Sequence, residues 1–171
     1  MASELLIRPL RAEDDRSSFT CGQGDLDRYL EHYAGQNQFK FGLSVTYVAV
    51  TAQVILGFAT VCPGAIERVS MPAAARRRLP AYPLPVLRLA RFGVATVAQG
   101  QGVGEALLRH VLGVALSLRA SAGCLGVVAD AKPDAVAFSR RYGFVPLEGV
   151  TAGTLHGEPT PMFLATASIP G

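Results

Sequence analysis

The stretch that most restricts the fold of this chain is VATVAQGQGVGEALL, residues 94–108. An apolar, strand-like start leads into three glycines, and a helical pattern follows them. Glycines let the backbone curl so that several N–H groups point at one spot, and a helix N-terminus adds about half a positive charge there. Phosphate groups are natural ligands of such a turn. The stretch therefore predicts a phosphate-binding strand–turn–helix unit, the alternative being a tight connection without a ligand.

Two common phosphate-binding motifs do not fit this turn. The P-loop requires Lys followed by Ser or Thr after the glycines, and this chain has no such pair there. The dinucleotide-binding GxGxxG requires a glycine where this chain has Glu105, and no acidic residue lies near position 120 to hold a ribose. The pattern that remains is QxxGxG, which runs from Gln99 to Gly104.

The rest of the chain predicts one α/β domain over residues 1–171. Short apolar and β-branched runs predict strands at 4–10, 45–50, 54–61, 86–95, 124–130, 144–147 and 161–169. Helical spacing predicts helices within 19–39, with Asp25 as the N-cap, and over 102–119 and 134–142. The apolar stripe of the second helix is Val103, Leu107, Val111, Val114 and Leu118. The Pro-rich stretch 71–85 predicts a surface excursion with at most one helical turn.

Composition and charge exclude some classes of protein. Half of the residues are hydrophobic, which argues against disorder, and no apolar run reaches the roughly 20 residues of a membrane helix. Residues 1–15 lack the pattern of a signal peptide, so the expectation is a cytoplasmic protein without a membrane partner. Residues 41–147 carry eleven basic and four acidic side chains, whereas residues 1–40 carry five and seven. This bias indicates a side that faces a polyanion, although scattered arginines are an equally simple interpretation.

Cysteines and histidines give no sign of a nucleophile or a metal site. The cysteines are odd in number and lack CxxC spacing, which favours free thiols, and the histidines lack ligand spacing, so no metal is expected. The residues concerned are Cys21, Cys62, Cys124, His32, His110 and His156.

The QxxGxG turn resembles the pyrophosphate-binding motif of the GNAT acyltransferases, which use acetyl-coenzyme A (acetyl-CoA). A narrower resemblance is to the TacT-type GNAT toxins of type II toxin–antitoxin systems. The segments that carry it are FTCGQGDLDRYL (19–30), YPLPVLRLARFGV (82–94), VVADAK (127–132) and AVAFSRRYGF (135–144). The resemblance implies a single GNAT domain, with a mixed, mostly antiparallel central sheet of six to seven strands flanked by about four helices.

The same resemblance implies an N-acetyltransferase that acetylates the α-amino group of aminoacyl-tRNA and blocks translation. It implies acetyl-CoA as the acetyl donor, no metal, a ribbon–helix–helix antitoxin as partner and a homodimer as a further expectation. Two other hypotheses stay open: a GNAT enzyme for a small amine or a protein amino group, and a catalytically weak CoA-binding member. The positions implied for acetyl-CoA are Phe92, Gly93, Val94, Gln99, Gly100, Gln101, Gly102, Val103, Gly104 and Phe138.

The strand 86–95 has no carboxylate to act as general base; its ionisable residues are Arg88 and Arg91. An α-amino group titrates near pKa ~8 and a lysine near ~10.4, so an α-amine needs less help to become neutral. The missing carboxylate therefore favours an α-amino acceptor over a lysine side chain, unless a base comes from elsewhere in the fold.

Two hydroxyls are candidates for the general acid that protonates the leaving thiolate. In the toxins that this chain resembles, a tyrosine follows the helix phenylalanine, whereas here Ser139 follows Phe138. A serine hydroxyl is too weak an acid to replace a phenol near pKa ~10, so Ser139 at best positions a water. Tyr142, three residues further along the expected helix, is the substitute, the alternative being that it only packs beside the turn.

Five arginines are candidates for contacts with tRNA phosphates, the alternatives being a solvated basic face or an antitoxin contact. They are Arg76, Arg77, Arg78, Arg140 and Arg141.

Overall fold

The computed structural model describes residues 4–131, 135–147 and 160–170. The strands are β1 (Leu6–Pro9), β2 (Val45–Thr51), β3 (Val54–Ile66), β4 (Leu84–Val94), β5 (Gly126–Ala131), β6 (Val145–Pro146) and β7 (Thr160–Ala165). The α-helices are α1 (Gly24–Arg28), α2 (Ala73–Arg76), α3 (Val103–Ser121) and α4 (Val136–Arg141). Within the described residues, the seven strands form one mostly antiparallel sheet in the order β1-β2-β3-β4-β5-β7-β6. This architecture confirms the predicted fold class.

The chain divides into two compact units, one formed by Met1–Cys62 and Leu89–Gly113 and the other by Pro63–Arg88 and Val114–Gly171. Strands β3 and β4 and helix α3 run through both units. The single domain over residues 1–171 stays a prediction.

The first unit packs around Phe58 of β3, which is fully buried. The ring of Phe19 lies edge-on to it at 5.5 Å between centroids, and that of Tyr29 stacks on it at 6.5 Å. On the other face of β3, Gly57 leaves room for α3, because a Cβ there would lie 2.9 Å from Leu107 and 3.0 Å from Val103. These contacts fix the start of α3 against the sheet.

The helix that follows residue 23 has a different N-cap residue from the one predicted. Gln23 is the N-cap and Asp25 lies inside the first turn of α1, so the prediction of Asp25 as the cap is wrong. After α1 the helix continues with π-helical turns at Tyr29–Tyr33 and Gln36–Lys40. The wider π turns change which residues face the core, so that Ala34 is buried and Tyr33 is 54% exposed.

Several boundaries also differ from the sequence prediction. β3 extends to Ile66 instead of ending at 61. Its Gly64 packs beside Val86 of β4, whose Cγ2 would lie 3.6 Å from a Cβ added to the glycine. In α3 the buried residue after Val111 is Ala115, whereas the predicted Val114 and Leu118 are half-buried. β2 and β4 are each one residue longer than predicted, whereas β1, β5, β6 and β7 are shorter by one to three residues. α2 is the single turn expected within 71–85.

The second unit has its own core, formed by buried Ile66, Met71, Leu84, Val86, Val128 and Phe163. Gly126 of β5 lies against the Leu164 carbonyl and the Phe163 ring, so no larger residue fits there. The Thr166 hydroxyl donates to the Cys124 carbonyl at 2.7 Å and closes the turn after β7. Leu79, Leu125 and Leu147 are partly buried against the same core.

Candidate active site

The glycine turn has the backbone that phosphate binding requires. Gly100 and Gly102 have φ of 78° and 85°, in the left-handed region that favours glycine. The Ala106 N–H donates to the Gly102 carbonyl at 3.1 Å, so the N–H groups between these two residues have no acceptor within the helix. A Cβ on either glycine would meet none of the described atoms within 4 Å. The turn is therefore open and begins a helix whose first N–H groups could donate to an anion, as the sequence predicts.

Gln99 holds the turn in place. Its side-chain Nε2 donates to the Val94 carbonyl at 3.1 Å and to the Cys21 carbonyl at 3.4 Å. Gln101 makes a more local bond, from Nε2 to the Val97 carbonyl at 3.3 Å. The side chains of both predicted cofactor-binding glutamines are thus bonded to protein carbonyls.

The end of β4 packs closely against both the turn and the N-terminal segment. A Cβ on Gly93 would lie 3.2 Å from the Phe58 ring and 3.4 Å from the Cys21 Sγ. A Cβ on Gly104 would lie 3.5 Å from Val94 and 3.6 Å from the Phe92 ring, which is ordinary contact. Gly93 therefore lets the end of β4 approach Phe58 and Cys21, and Phe92 and Val94 lie within contact distance of Gly104 in the turn.

The first turn of α3 contains one negative charge, which would oppose the binding of an anion. Glu105 lies there and its carboxylate would repel a phosphate, but Arg109 one turn later pairs with it at 2.7 Å. Both side chains are largely exposed, so the pair contributes little to stability. Arg109 thereby places a positive charge beside the Glu105 carboxylate.

Sequence reasoning missed the contribution of Asp27. Its carboxylate accepts from the Cys21 N–H at 2.9 Å and from the Thr20 hydroxyl at 3.2 Å. The Thr96 N–H in turn donates to the Thr20 carbonyl at 2.9 Å. The signal that locates this residue is the TCGQGDLD run itself, in which a carboxylate follows a glycine-containing turn by a few residues.

Arg91 is a second residue whose position was not predicted. Its guanidinium lies over the Tyr29 ring at 4.9 Å from the centroid, and Asn37 Nδ2 donates to the Tyr29 hydroxyl at 3.3 Å. Side chains alternate along a strand, so Arg91 projects from the same face of β4 as Gly93. Arg91 also donates to the Ala90 carbonyl at 3.0 Å, so its positive charge lies at this face of β4.

Helix α4 ends in a Schellman motif. The Phe144 N–H donates to the Ser139 carbonyl at 3.2 Å and the Gly143 N–H to the Arg140 carbonyl at 3.0 Å, with φ of 90° at Gly143. Tyr142 is the C-cap, with φ −96° and ψ 9°, so α4 ends at Arg141, one residue before the predicted end at 142.

The ring of Tyr142 packs at 5.0 Å from that of Phe138, and Arg141 lies 5.6 Å from the Phe138 centroid. Phe138, Ser139 and Tyr142 are half-buried, while Arg140 and Arg141 are exposed. The second unit therefore brings Phe138 and Tyr142 into contact. Asp134 and Lys132, which belong to the predicted helix and motif, lie outside the described residues, as does His156.

The three arginines after Ala75 lie where α2 ends. Arg76 is the last residue of α2 and is half-buried, while Arg77 and Arg78 are exposed. Exposed guanidinium groups are available for phosphate contacts. Arg77 and Arg78 are therefore more accessible to a phosphate than Arg76 is.

The Cys21 and Cys124 thiols are not suited to nucleophilic chemistry. Burial raises the pKa of Cys21 to about 11 and also raises the pKa of Cys124, so both remain protonated at neutral pH. Burial lowers the pKa of His110, which packs on Tyr47 at 4.5 Å between ring centroids, so this imidazole is neutral at pH 7. Across the described part of the chain, no three His, Cys, Asp or Glu side chains are grouped as a metal site would require. Nor does that part include a helix with the length and apolarity to cross a membrane.

Comparison with known proteins identifies the same architecture. The family model described as "Acetyltransferase (GNAT) domain" matches residues 42–146. A curated relative, the tRNA-acetylating toxin of Mycobacterium tuberculosis, is 32% identical over 138 residues, which cover 80% of this chain and 82% of the relative.

Solved structures of two toxins superpose on most of the chain. A tyrosine-to-phenylalanine mutant of KacT has a TM-score of 0.85 at 25% identity, covering 96% of each chain. AtaT complexed with acetyl-methionyl-tRNAfMet has a TM-score of 0.83 at 26% identity, again covering 96% of each chain. A tyrosine-to-phenylalanine mutant of AtaT, bound to the C-terminus of the antitoxin AtaR and to acetyl-CoA, has a TM-score of 0.76 at 27% identity, with 96% of this chain and 95% of that chain covered.

Proposed function

Because the chain belongs to the GNAT acetyltransferase family, we propose that it is a toxin that acetylates the α-amino group of aminoacyl-tRNA and blocks translation. The observation that carries this proposal is the 32% identity to a tRNA-acetylating toxin, which extends over 80% of the chain. The likeness to AtaT with acetyl-methionyl-tRNAfMet supports the same class of substrate.

Acetyl-CoA, the proposed donor, supplies the acetyl group as a reactive thioester. In the proposal its pyrophosphate is held by the backbone of Gly100 to Gly104, where two positive φ angles and a helix start leave N–H groups free to donate. The backbone of Phe92 to Val94 would hold the carbonyl oxygen of the acetyl group. Phe138 would form an apolar wall at the sulfur end.

The acceptor chemistry follows from the charges on β4. With no carboxylate on this strand and Arg91 fixed over Tyr29, the protein favours an amine that is already neutral. An α-amino group near pKa ~8 meets this condition far better than a lysine near ~10.4. This feature supports an aminoacyl group as the acceptor.

For the general acid we assign Tyr142 in place of the tyrosine that resembled toxins carry at the position of Ser139. The phenol packs on Phe138, the residue proposed to lie beside the sulfur. Ser139 is confined to positioning a water, since its hydroxyl is a poor acid. If neither hydroxyl serves, the chain is the catalytically weak CoA-binding member considered above.

The partners and location follow the same proposal. Arg77, Arg78, Arg140 and Arg141 are exposed and would contact tRNA phosphates, as would the exposed part of the half-buried Arg76. A ribbon–helix–helix antitoxin, a homodimer, a single domain over residues 1–171 and a cytoplasmic location complete the proposal. The AtaT complex with the C-terminus of AtaR supports an antitoxin partner.

The test is to incubate the purified protein with labelled acetyl-CoA and total aminoacyl-tRNA. We expect label on the amino acid of the tRNA, and a substrate panel of small amines and protein N-termini provides the comparison. Transfer to that panel but not to charged tRNA would contradict the tRNA proposal. Binding of acetyl-CoA without transfer to any acceptor would identify the weak CoA-binding member.

A further inference from the structure

One hydrogen-bonded chain joins the N-terminal segment to the glycine turn. The Asp27 carboxylate accepts from the Cys21 N–H at 2.9 Å, and the Cys21 carbonyl accepts from Gln99 Nε2 at 3.4 Å. The same Nε2 donates to the Val94 carbonyl at 3.1 Å. We propose that Asp27 and Gln99 are positioning residues that set the glycine turn and the end of β4 for acetyl-CoA before it binds.

The donors of Gln99 are already used inside the protein. A glutamine amide has two N–H donors, and here Nε2 serves the carbonyls of Val94 and Cys21. The amide oxygen that remains is an acceptor and does not attract a phosphate. Gln99 therefore acts on the cofactor through the position of the backbone and not by a direct bond to the pyrophosphate.

The segment around Cys21 is a firm anchor for this amide. Cys21 is 8% exposed, and its Sγ would lie 3.4 Å from a Cβ on Gly93. The Thr96 N–H donates to the Thr20 carbonyl at 2.9 Å, beside the bonds to Asp27. The N-terminal segment thus contacts β4 and the start of the turn at several points, and Asp27 fixes its backbone.

The experiment measures acetyl-CoA affinity by calorimetry and amide hydrogen exchange of residues 99–104 without the cofactor. Gln99→Met keeps the length of the side chain and removes both donors, and we expect the Kd for acetyl-CoA to rise about tenfold. Exchange in the turn of the free protein should become faster. Asp27→Ala should change both quantities in the same direction, and Asp27→Asn, which keeps an acceptor oxygen for Cys21, should restore them to within about twofold of the wild type.

The effects of substitutions at Gln99 and Asp27 on the Kd for acetyl-CoA should also be coupled. Because both residues act on one backbone geometry, the double variant Gln99→Met, Asp27→Ala should bind acetyl-CoA about as weakly as the worse single variant. The matched control is Gln38→Met. Gln38 likewise bridges two segments of the first unit, donating to the Leu10 carbonyl at 3.1 Å and accepting from the Thr46 N–H at 2.8 Å. Neither of these hydrogen bonds involves a residue of the turn. Gln38→Met should lower Tm without changing the Kd for acetyl-CoA.

Unchanged exchange in the free Gln99→Met protein together with a raised Kd would overturn the inference, because it would mean a direct bond to the pyrophosphate. An unchanged Kd in both single variants would also overturn it. The inference rests on the proposed function only for its ligand, acetyl-CoA. If the wild type binds acetyl-CoA but does not modify aminoacyl-tRNA, the proposed substrate is wrong while the positioning inference is still measured by Kd and exchange.

Discussion

At the scale of single residues, the acidity of two hydroxyls separates the possible mechanisms. Ser139 and Tyr142 are both half-buried at the end of α4, but a phenol is a far stronger acid than an alkyl hydroxyl and is the better donor of a proton to a departing thiolate. The packing of Tyr142 on Phe138 fixes the ring without involving its hydroxyl. Removing the hydroxyl alone therefore tests chemistry separately from packing.

We expect Tyr142→Phe to lower kcat about 100-fold, the usual contribution of a general acid, while Tm stays within about a degree of the wild type. The measurement is steady-state acetyl transfer to aminoacyl-tRNA alongside thermal unfolding. Tyr33→Phe, which alters an exposed tyrosine in the first unit, is the matched control. An unchanged kcat would assign the proton to water, and Ser139→Tyr should then raise the rate.

At this scale the sequence predicts the backbone conformation of the glycines but does not predict which carboxylate accepts a given hydrogen bond. The positive φ angles of Gly100 and Gly102 follow from the glycine pattern itself. The choice of Asp27 over Asp25 does not, because both carboxylates lie near the start of α1. Which one reaches the Cys21 N–H depends on where the helix begins, and this is set by packing of the buried Leu26.

At the scale of elements, the end of α4 is fixed by one glycine. Gly143 has φ of 90°, and a Cβ there would also lie 3.4 Å from Leu164 Cδ1. The buried Phe144 that follows holds the motif against the core of the second unit. The end of this helix therefore depends on a conformation that other residues adopt only at a cost.

We expect Gly143→Ala to lower the free energy of unfolding by about 1–2 kcal/mol, because alanine adopts the left-handed backbone only at a cost. The control is Gly113→Ala, in the exposed face of α3 where a Cβ meets none of the described atoms within 4 Å. It should raise the free energy of unfolding by about 0.4–1 kcal/mol. Denaturant titrations of both variants measure the free energies of unfolding. Equal changes in the two variants would contradict the Schellman motif at the end of α4.

The elements themselves were more predictable than their ends. A run of β-branched residues broken by TAQ predicts the β2–β3 hairpin, and Ala52 and Gln53 have the positive φ angles that a two-residue turn requires. The extension of β3 to Ile66 was not visible, because Pro63 and Gly64 suggest the end of a strand. Pairing with neighbouring strands overrides those local preferences, which no short window of sequence shows.

At the scale of the whole molecule, charge is divided unevenly along the chain. Residues 63–88 and 114–171 hold nine basic and five acidic side chains, whereas residues 1–62 and 89–113 hold seven and eight. The candidate phosphate-contacting arginines all lie in the first of these sets. This imbalance favours a polyanion as partner of that unit, as the sequence suggested.

Binding of tRNA should therefore depend strongly on salt, with exposed arginines of this unit carrying the dependence. We expect Arg77→Ala to weaken tRNA binding and to reduce the slope of log K against log salt by about 1, without changing the KM for acetyl-CoA. Arg11→Ala, an exposed arginine of the other unit, is the control and should leave the slope unchanged. If both variants alter the slope equally, the attraction comes from net charge, and the arginines after α2 do not form a tRNA contact.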